Sequence, residues 1–591
     1  MSQLHIKNFR ACKDVFLPLE SYTPLVGQNN TGKSTILEAI KWVLKPSVLA
    51  AGDFYDSAQP VIVTACISGI TQGILALVPD AKQRTAIEPY CANGFLWIRS
   101  VASKPGVKKI ETEVYDHAAY VGEGIPEIWR PYPTGLPQAV SALLPEALHI
   151  EAMDDIGEDL GKAKSGTTIK ELLDEIMVPV LKAHDDLNQA LDTIRHILTA
   201  DGNNRSGHLK DFDEQATQTL AHFFPGLALA LDLQVVDIKE FFKAGDLHVT
   251  DNLTGDRRRF DQMGTGAQRS IQMALIRYLA QIRTVSQENP ARRLLLIDEP
   301  ELYLHPQGVR RLRQALLNLS QAGFQVVFST HSPLMLNREN AADTVIVSKD
   351  RERGVITQKP LRLAVHTALS DAPSQSRTLF ELGNIAEIYF SDRVVLCEGK
   401  TDQRLLPLAY ERLYGQPLEL DHTTVVSLGS CNDIPKALSV LKAMDIKACA
   451  IADLDFAFTE ARRGGTPLLP KEGEDIGTAK VILQRLRPVH GFSLAGNGLP
   501  QNQGAWKAAD VWAMLAQEID GQQLLKTVHE QLKGCNIWVW TDGCIENVTG
   551  ASNKGENAIA EQEERLLAMS AIEIEQQMPA FAACFAWIRS L

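Results

Sequence analysis

Two sets of side chains in this chain are suited to phosphate chemistry. The first begins at Gly27-Gln28-Asn29-Asn30-Thr31-Gly32-Lys33-Ser34-Thr35, which fits G-x-x-x-x-G-K-[ST]. Glycines there let backbone N–H groups close on an anion, and a helix start behind them adds unpaired donors. Lys33 is expected to reach the β and γ phosphates of ATP and Ser34 to hold Mg²⁺. Asn29, Asn30, Thr31, Gly32 and Thr35 complete that cradle. Further on, the apolar run Leu294-Leu295-Leu296-Ile297 ends in Asp298-Glu299. Asp298 is placed to hold Mg²⁺, and Glu299 to orient and deprotonate an attacking water. His331 closes another apolar run, Val326-Val327-Phe328-Ser329-Thr330, and is suited to hydrogen-bond a γ-phosphate. The turn Met263-Gly264-Thr265-Gly266-Ala267-Gln268 opens a helix, so Gly264, Gly266 and Gln268 form a second anion-binding device.

The second set is acidic and lies in the C-terminal third. Glu398-Gly399-Lys400-Thr401-Asp402 follows the run Arg393-Val394-Val395-Leu396, and Asp453-Leu454-Asp455 follows Ala448-Cys449-Ala450-Ile451. Ile537-Trp538-Val539-Trp540 leads to Asp542 and Glu546. If the backbone is extended at Asp453, period-2 spacing puts it on one face with Asp455. Carboxylates gathered on one sheet edge repel each other and ionise cheaply only around hard cations such as Mg²⁺ or Mn²⁺. Metal-assisted phosphodiester hydrolysis needs such a cluster.

Positioning these groups requires strands that end where the charges begin. Leu4-His5-Ile6-Lys7-Asn8-Phe9 alternates as a strand, Pro24-Leu25-Val26 is a second, and residues 35–44 have helical spacing. Arg10 is placed to reach back to a bound nucleotide. From 61 to 121, short alternating stretches predict further β structure. Residues 148–155 combine a short strand with acids and read as a nucleotide-sensing loop. Residues 169–176, 187–198 and 216–223 predict helices, with a loop over 200–207. After a Pro- and Ser-containing linker at 358–377, strands alternate with helices, which means a parallel sheet. The resulting division is an ATPase in two parts, 1–165 and 225–380. A helical insertion at 166–224 is expected to dimerise, and a second α/β domain fills 390–591.

Composition sets limits on this reading. A chain of 591 residues is too long for one core. Its net charge of −13 excludes a broadly basic nucleic-acid coat, though local basic groups remain. Candidate DNA contacts are Arg257-Arg258-Arg259, Arg462-Arg463, Lys480, Arg485 and Arg487, with the Gly- and Pro-rich loop 459–477 expected to move on binding. The cysteines show no C-x-x-C or zinc spacing and read as reduced thiols. No apolar signal core and no membrane-length apolar run is present, so the expected location is cytoplasmic.

The order of motifs in roughly the first 350 residues, with Asn8-Phe9-Arg10 at the start, resembles the ABC ATPases of the SMC/RecF type. That resemblance implies a dimer in which Gly264, Gly266 and Gln268 of one subunit face ATP held by the other. The turn departs from the transporter form Leu-Ser-Gly-Gly-Gln, which bears on the strength of that contact and on ATP turnover. The C-terminal acids resemble a Toprim domain, with Glu398 as its glutamate and Asp453 and Asp455 as its D-x-D motif. An ABC ATPase followed by Toprim is similar to the OLD (overcoming lysogenization defect) family, which includes the nuclease subunit of the Gabija anti-phage system. The resemblance implies that Glu398, Asp402, Asp453, Asp455 and Glu546 are metal ligands or acid/base groups. It implies that Lys554 stabilises the charged transition state. It also implies a DNA substrate, ATP as a regulator, a homodimer or larger assembly, and a helicase or reverse transcriptase partner encoded nearby. Two alternatives stand beside this: an SMC/RecF-type repair ATPase without cleavage, and a defence ATPase whose Toprim domain cuts RNA.

Overall fold

The structure is a computed structural model. It describes residues 1–76, 78, 80–116, 128–143, 147–150, 185–221, 227, 230–231, 248–252, 254–285, 293–337, 340–368, 385–463, 467–503, 506–551 and 555–591. The expected helix at 169–176, the acids Glu151, Asp154 and Asp155, and Lys554 lie outside the described residues. The chain packs as two units, each discontinuous in sequence.

The first unit comprises Met1–Arg10, Pro18–Thr23 and Ser34–Thr330. Strand Gln3–Phe9 pairs antiparallel with Val61–Ser68, with Ile6 opposite Val63. Phe95–Ala102, Glu111–Tyr115 and Trp129–Pro131 extend that antiparallel run. In Phe95–Ala102, Leu96, Ile98, Ser100 and Ala102 are buried in alternation, the period-2 pattern of a sheet with one face inward. The expectation of β structure throughout 61–121 needs correction, because Ala81–Ile87 is a helix. Asp80 starts it by accepting from the Lys82 N–H, a capping signal that outweighs the surrounding strand pattern. A parallel trio, Leu148–Ile150, Arg293–Ile297 and Phe324–Thr330, follows. Leu294, Leu295, Leu296 and Ile297 are buried on both faces of the middle strand, as are Val326, Val327 and Phe328 beside it, while Leu148–Ile150 buries only Ile150.

Where a helical insertion is expected, at 166–224, the described residues form two helices, Asp185–Leu198 and Gly207–Ala221, joined by a turn. Buried Arg205 ties them together through Asp213 at 2.7 Å and the carbonyls of Leu198 and Leu231. Gly202 lets the turn close, since a Cβ there would sit 2.1 Å from the His196 carbonyl oxygen.

The second unit comprises Ala11–Leu17, Pro24–Lys33 and His331–Leu591. Within it, Val345–Asp350 pairs parallel with the end of Tyr22–Val26 and antiparallel with Gly354–Thr357. A separate four-stranded parallel sheet runs in the order Thr423–Ser427, Arg393–Cys397, Lys447–Ala452, Ile537–Val539. Its side chains sort by parity into two cores. Val394, Leu396, Ala450, Ile537 and Val539 enter one, while Val395, Cys397, Cys449, Ile451 and Trp538 enter the other. Helices Ile434–Ala443 and Glu474–His490 line the first core; Lys400–Tyr414 and Pro579–Ser590 line the second. The linker expected over 358–377 holds a helix, Leu361–Ala368, whose Leu361 and Ala364 are buried in the first core. Pro360 precedes that helix at a position where a missing N–H costs nothing. Among the described residues, no helix is long and apolar enough to cross a membrane.

Candidate metal centre and nucleotide loops

The C-terminal edge of the four-stranded sheet collects the acids. Glu398 directly follows Arg393–Cys397, and Asp453 follows Lys447–Ala452. The backbone is extended at Asp453 (φ −67°, ψ 161°) and then tightens into a 3₁₀ turn, Leu454–Phe458. The expected extended D-x-D spacing therefore does not hold past Asp453. The carboxylates still meet: ligand oxygens of Glu398, Asp453 and Asp455 all lie within 4.8 Å of one another, each half-buried. Three hard oxygen donors at that separation fit a divalent cation such as Mg²⁺ or Mn²⁺.

Asp402 and Glu546 stand behind this triad rather than in it. Asp402 is in the first turn of Lys400–Tyr414 and is 5% exposed, and Glu546 is 7% exposed. Thr401 Oγ1 donates to Glu546 Oε1 at 3.1 Å, and the Trp540 indole donates to Asp402 Oδ1 at 3.4 Å. Burial pushes the Asp402 carboxyl up to about 8; Asp453, Glu546 and Glu398 add to the rise and Trp540 opposes it. The same negative field acts on Cys431. Burial first, then Glu398, Asp455 and Glu460, push its thiol up to about 12.

The raised Asp402 value has a consequence for stability. In the unfolded chain this carboxyl ionises near its ordinary 3.8, whereas the folded protein holds the proton to about 8. As pH rises between those values the unfolded state gives up a proton that the folded state keeps, so the metal-free protein loses stability. Asp402→Asn cannot ionise. Its metal-free melting temperature should fall less between about pH 5 and about pH 8 than the parent's, by about 3 °C or more. Mg²⁺ should raise the parent's melting temperature more at the higher pH, because a cation favours the ionised carboxylate. Melting curves at both pH values check this; equal pH slopes in parent and variant would contradict it.

The nucleotide motifs fall in both units. In the second, the phosphate loop holds Gly27 at φ 152°, Asn30 at φ 61° and Gly32 at φ 103°. A Cβ on Gly27 would sit 2.0 Å from the Val347 carbonyl oxygen, so only glycine lets the loop pass that strand. Lys33 is 4% exposed, and its ammonium donates to the carbonyls of Gly27 (3.1 Å) and Gln28 (2.8 Å). Thr31 Oγ1 also donates to the Gln28 carbonyl, at 2.9 Å. Asn29 and Asn30 are exposed on the loop, and His331 is half-buried after Phe324–Thr330.

In the first unit, Ser34 is exposed and Thr35 half-buried in helix Lys33–Leu44. Asp298 and Glu299 follow Arg293–Ile297, and Glu299 takes a left-handed φ of 44°. That strain is held by a clamp that the sequence reading missed. Ser329 Oγ donates to the Asp298 carboxylate and accepts from the Glu299 N–H at 2.9 Å. Arg269, fully buried, donates to the carbonyls of Asp298 (2.8 Å) and Glu299 (2.6 Å). Burial lowers its guanidinium to about 10 against the pull of Glu301, Asp298 and Glu299. Position alone, directly after Gln268, was the only sequence hint of that part.

Of the glycine turn, Gly264 is exposed and Gly266 half-buried at the start of Thr265–Val285. Gln268 points inward: its amide donates to the Phe260 and Met263 carbonyls at 3.1 and 2.9 Å. Here it braces its own turn instead of presenting an amide outward. Arg10 pairs with Asp53 at 2.8 Å. Among the candidate DNA contacts, Arg462 is 5% exposed and bound to Asp475 and the Ala457 and Pro470 carbonyls, which makes it structural. Arg485 is paired with Glu518 and Asp520. Arg257, Arg258 and Arg259 are exposed on a short hairpin with His248–Thr250.

Residues 389–455 match the family described as "Overcoming lysogenization defect protein-like, TOPRIM domain", and residues 1–78 and 150–336 match "AAA ATPase domain". The chain is 32% identical over 563 residues to the Old nuclease of Escherichia phage P2, across 94% of this chain and 93% of that one. It is 24% identical over 485 residues to the OLD nuclease of Thermus scotoductus, across 77% and 82%. A solved Smc head domain from Pyrococcus furiosus, bound to the C-terminal domain of ScpA, is similar at 14% identity and a TM-score of 0.35, over 62% of this chain and 98% of that one. With nearly all of both chains aligned to the phage P2 nuclease, this chain belongs to the OLD family of nucleases, with an ATPase region ahead of a Toprim domain.

Proposed function

We propose that this nuclease is a divalent-metal-dependent endonuclease that nicks or cleaves duplex DNA in anti-phage defence, with ATP as its regulator. The observation that carries the reading is the approach of Glu398, Asp453 and Asp455 within 4.8 Å. These three would hold the cation, with Asp402 and Glu546 supplying charge behind them. Bound there, Mg²⁺ or Mn²⁺ supplies an activated water and stabilises the leaving oxygen. The chain's own part is to fix the donors on strand ends and to keep Asp402 buried against Trp540. Lys554, by family resemblance, adds positive charge to the transition state.

On the ATPase side, Asn29 to Thr35 cradle the phosphates, with Lys33 on β and γ, and Ser34 and Asp298 on Mg²⁺. Glu299 orients the water and His331 contacts the γ-phosphate. Gly264 and Gly266 belong to the face that meets a second copy, and Gln268 holds that turn in shape from within. A cytoplasmic homodimer or larger assembly, with a helicase or reverse transcriptase encoded nearby, is the expected setting.

Supercoiled plasmid and labelled tRNA, each incubated with Mg²⁺, Mn²⁺ or EDTA, test the reading. Plasmid should be nicked or linearised with either metal and untouched in EDTA, while tRNA stays intact. Cut tRNA beside intact plasmid would make the substrate RNA. Two untouched substrates would favour a non-cleaving ATPase.

A further inference from the structure

The phosphate loop and the nuclease sheet are packed in one unit. Val26, which leads into the loop, lies in the same apolar core as Val394, Leu396 and Val426 of that sheet. One side chain of the loop itself makes polar contact with the nuclease domain. Gln28 Nε2 donates to both carboxylate oxygens of Asp392, at 3.3 and 3.4 Å, and lies 3.5 Å from His422 Nδ1. Asp392 immediately precedes strand Arg393–Cys397, and His422 immediately precedes Thr423–Ser427. The two starts are joined, since the N–H groups of Asp392 and Arg393 both donate to the His422 carbonyl, at 2.9 and 3.1 Å.

The first of these strands ends at Cys397, and the next residue is the cation ligand Glu398. A strand of that length spans about 17 Å. Gln28 therefore touches one end of the element whose other end carries the metal centre. Behind its side chain, the Gln28 carbonyl accepts from Lys33 and Thr31. Phosphates entering the loop compete for the Lys33 ammonium, so the peptide bearing Gln28 is held differently with and without nucleotide.

We propose that Gln28, through Asp392 and His422, is the contact by which nucleotide in the phosphate loop regulates the metal centre at Glu398. This rests on the reading of ATP as a regulator. A ligand shifts a second site only by the free energy of contacts that differ between its bound and free states. Exposed hydrogen bonds of this kind set the expected size, a change of about 2- to 10-fold in the nucleotide response.

The test uses the full chain carrying Asp392→Ala, which alters an exposed residue outside both the phosphate loop and the metal centre. Plasmid cleavage is measured without nucleotide, with ATP and with a non-hydrolysable ATP analogue, and ATP affinity is measured separately. The variant should match the parent without nucleotide, and its ATP affinity should move by no more than the same factor of about 2- to 10-fold, because coupling in binding is reciprocal. Its ratio of cleavage rates with and without nucleotide should move toward one by about 2- to 10-fold. Gln28→Ala should shift the ratio equally, and the double variant no further than either, because both remove one contact. A parent-like ratio in Asp392→Ala would overturn the proposal, as would an equal change of rate with and without nucleotide. If the parent's own cleavage ignores nucleotide, the regulator reading itself fails, and the proposal with it.

Discussion

Glu398→Ala and Asp453→Ala should each lower plasmid cleavage by about 10²- to 10⁴-fold, since a cation centre contributes several kcal/mol to the transition state. Both side chains are half-buried at strand ends, outside the two apolar cores that hold the sheet together. Truncating them removes charge from a cluster of mutual repulsion, so melting temperature in EDTA should be unchanged or higher. The pairing of those readouts matters. Lost cleavage with an unchanged fold places the residues in the chemistry. Retained cleavage in both variants would remove the metal centre from the account.

Lys33→Ala should weaken ATP binding by about 10- to 100-fold, the worth of a charge-assisted contact or two. Its cleavage rate should then be the same with and without ATP at concentrations that shift the parent. The direction of the parent's own shift shows whether nucleotide promotes or restrains cutting. Titrating ATP against both proteins in one plasmid assay checks this. A variant that responds to ATP as the parent does would contradict the assignment of the loop.

How far residues alone could be read depended on whether local order decided the matter. The phosphate loop, the strand before Asp298 and the three strands that lead to the C-terminal acids were all readable, because apolar runs ending in charge or glycine are local patterns. Element bounds were less local: residues 187–198 were an expected helix and Asp185–Leu198 is the observed one, whereas the helix expected over 216–223 runs over Gly207–Ala221. What failed was side-chain direction. Arg462 and Gln268 look like surface groups from their neighbours, yet both are buried against backbone carbonyls. Arg269 and Ser329 clamp the Asp298–Glu299 peptide from segments far apart in the chain, and no spacing rule reveals that. Spacing put the five acids at strand ends without ranking them by depth. Only the structure separates the half-buried triad from Asp402 and Glu546 behind it.

Cation binding is measured most directly by anomalous scattering from crystals soaked in Mn²⁺. A peak bonded to Glu398, Asp453 and Asp455 at oxygen distances of about 2.0–2.4 Å is expected. Crystals with Mn²⁺ bound elsewhere, and no peak among those three carboxylates, would contradict a metal centre there.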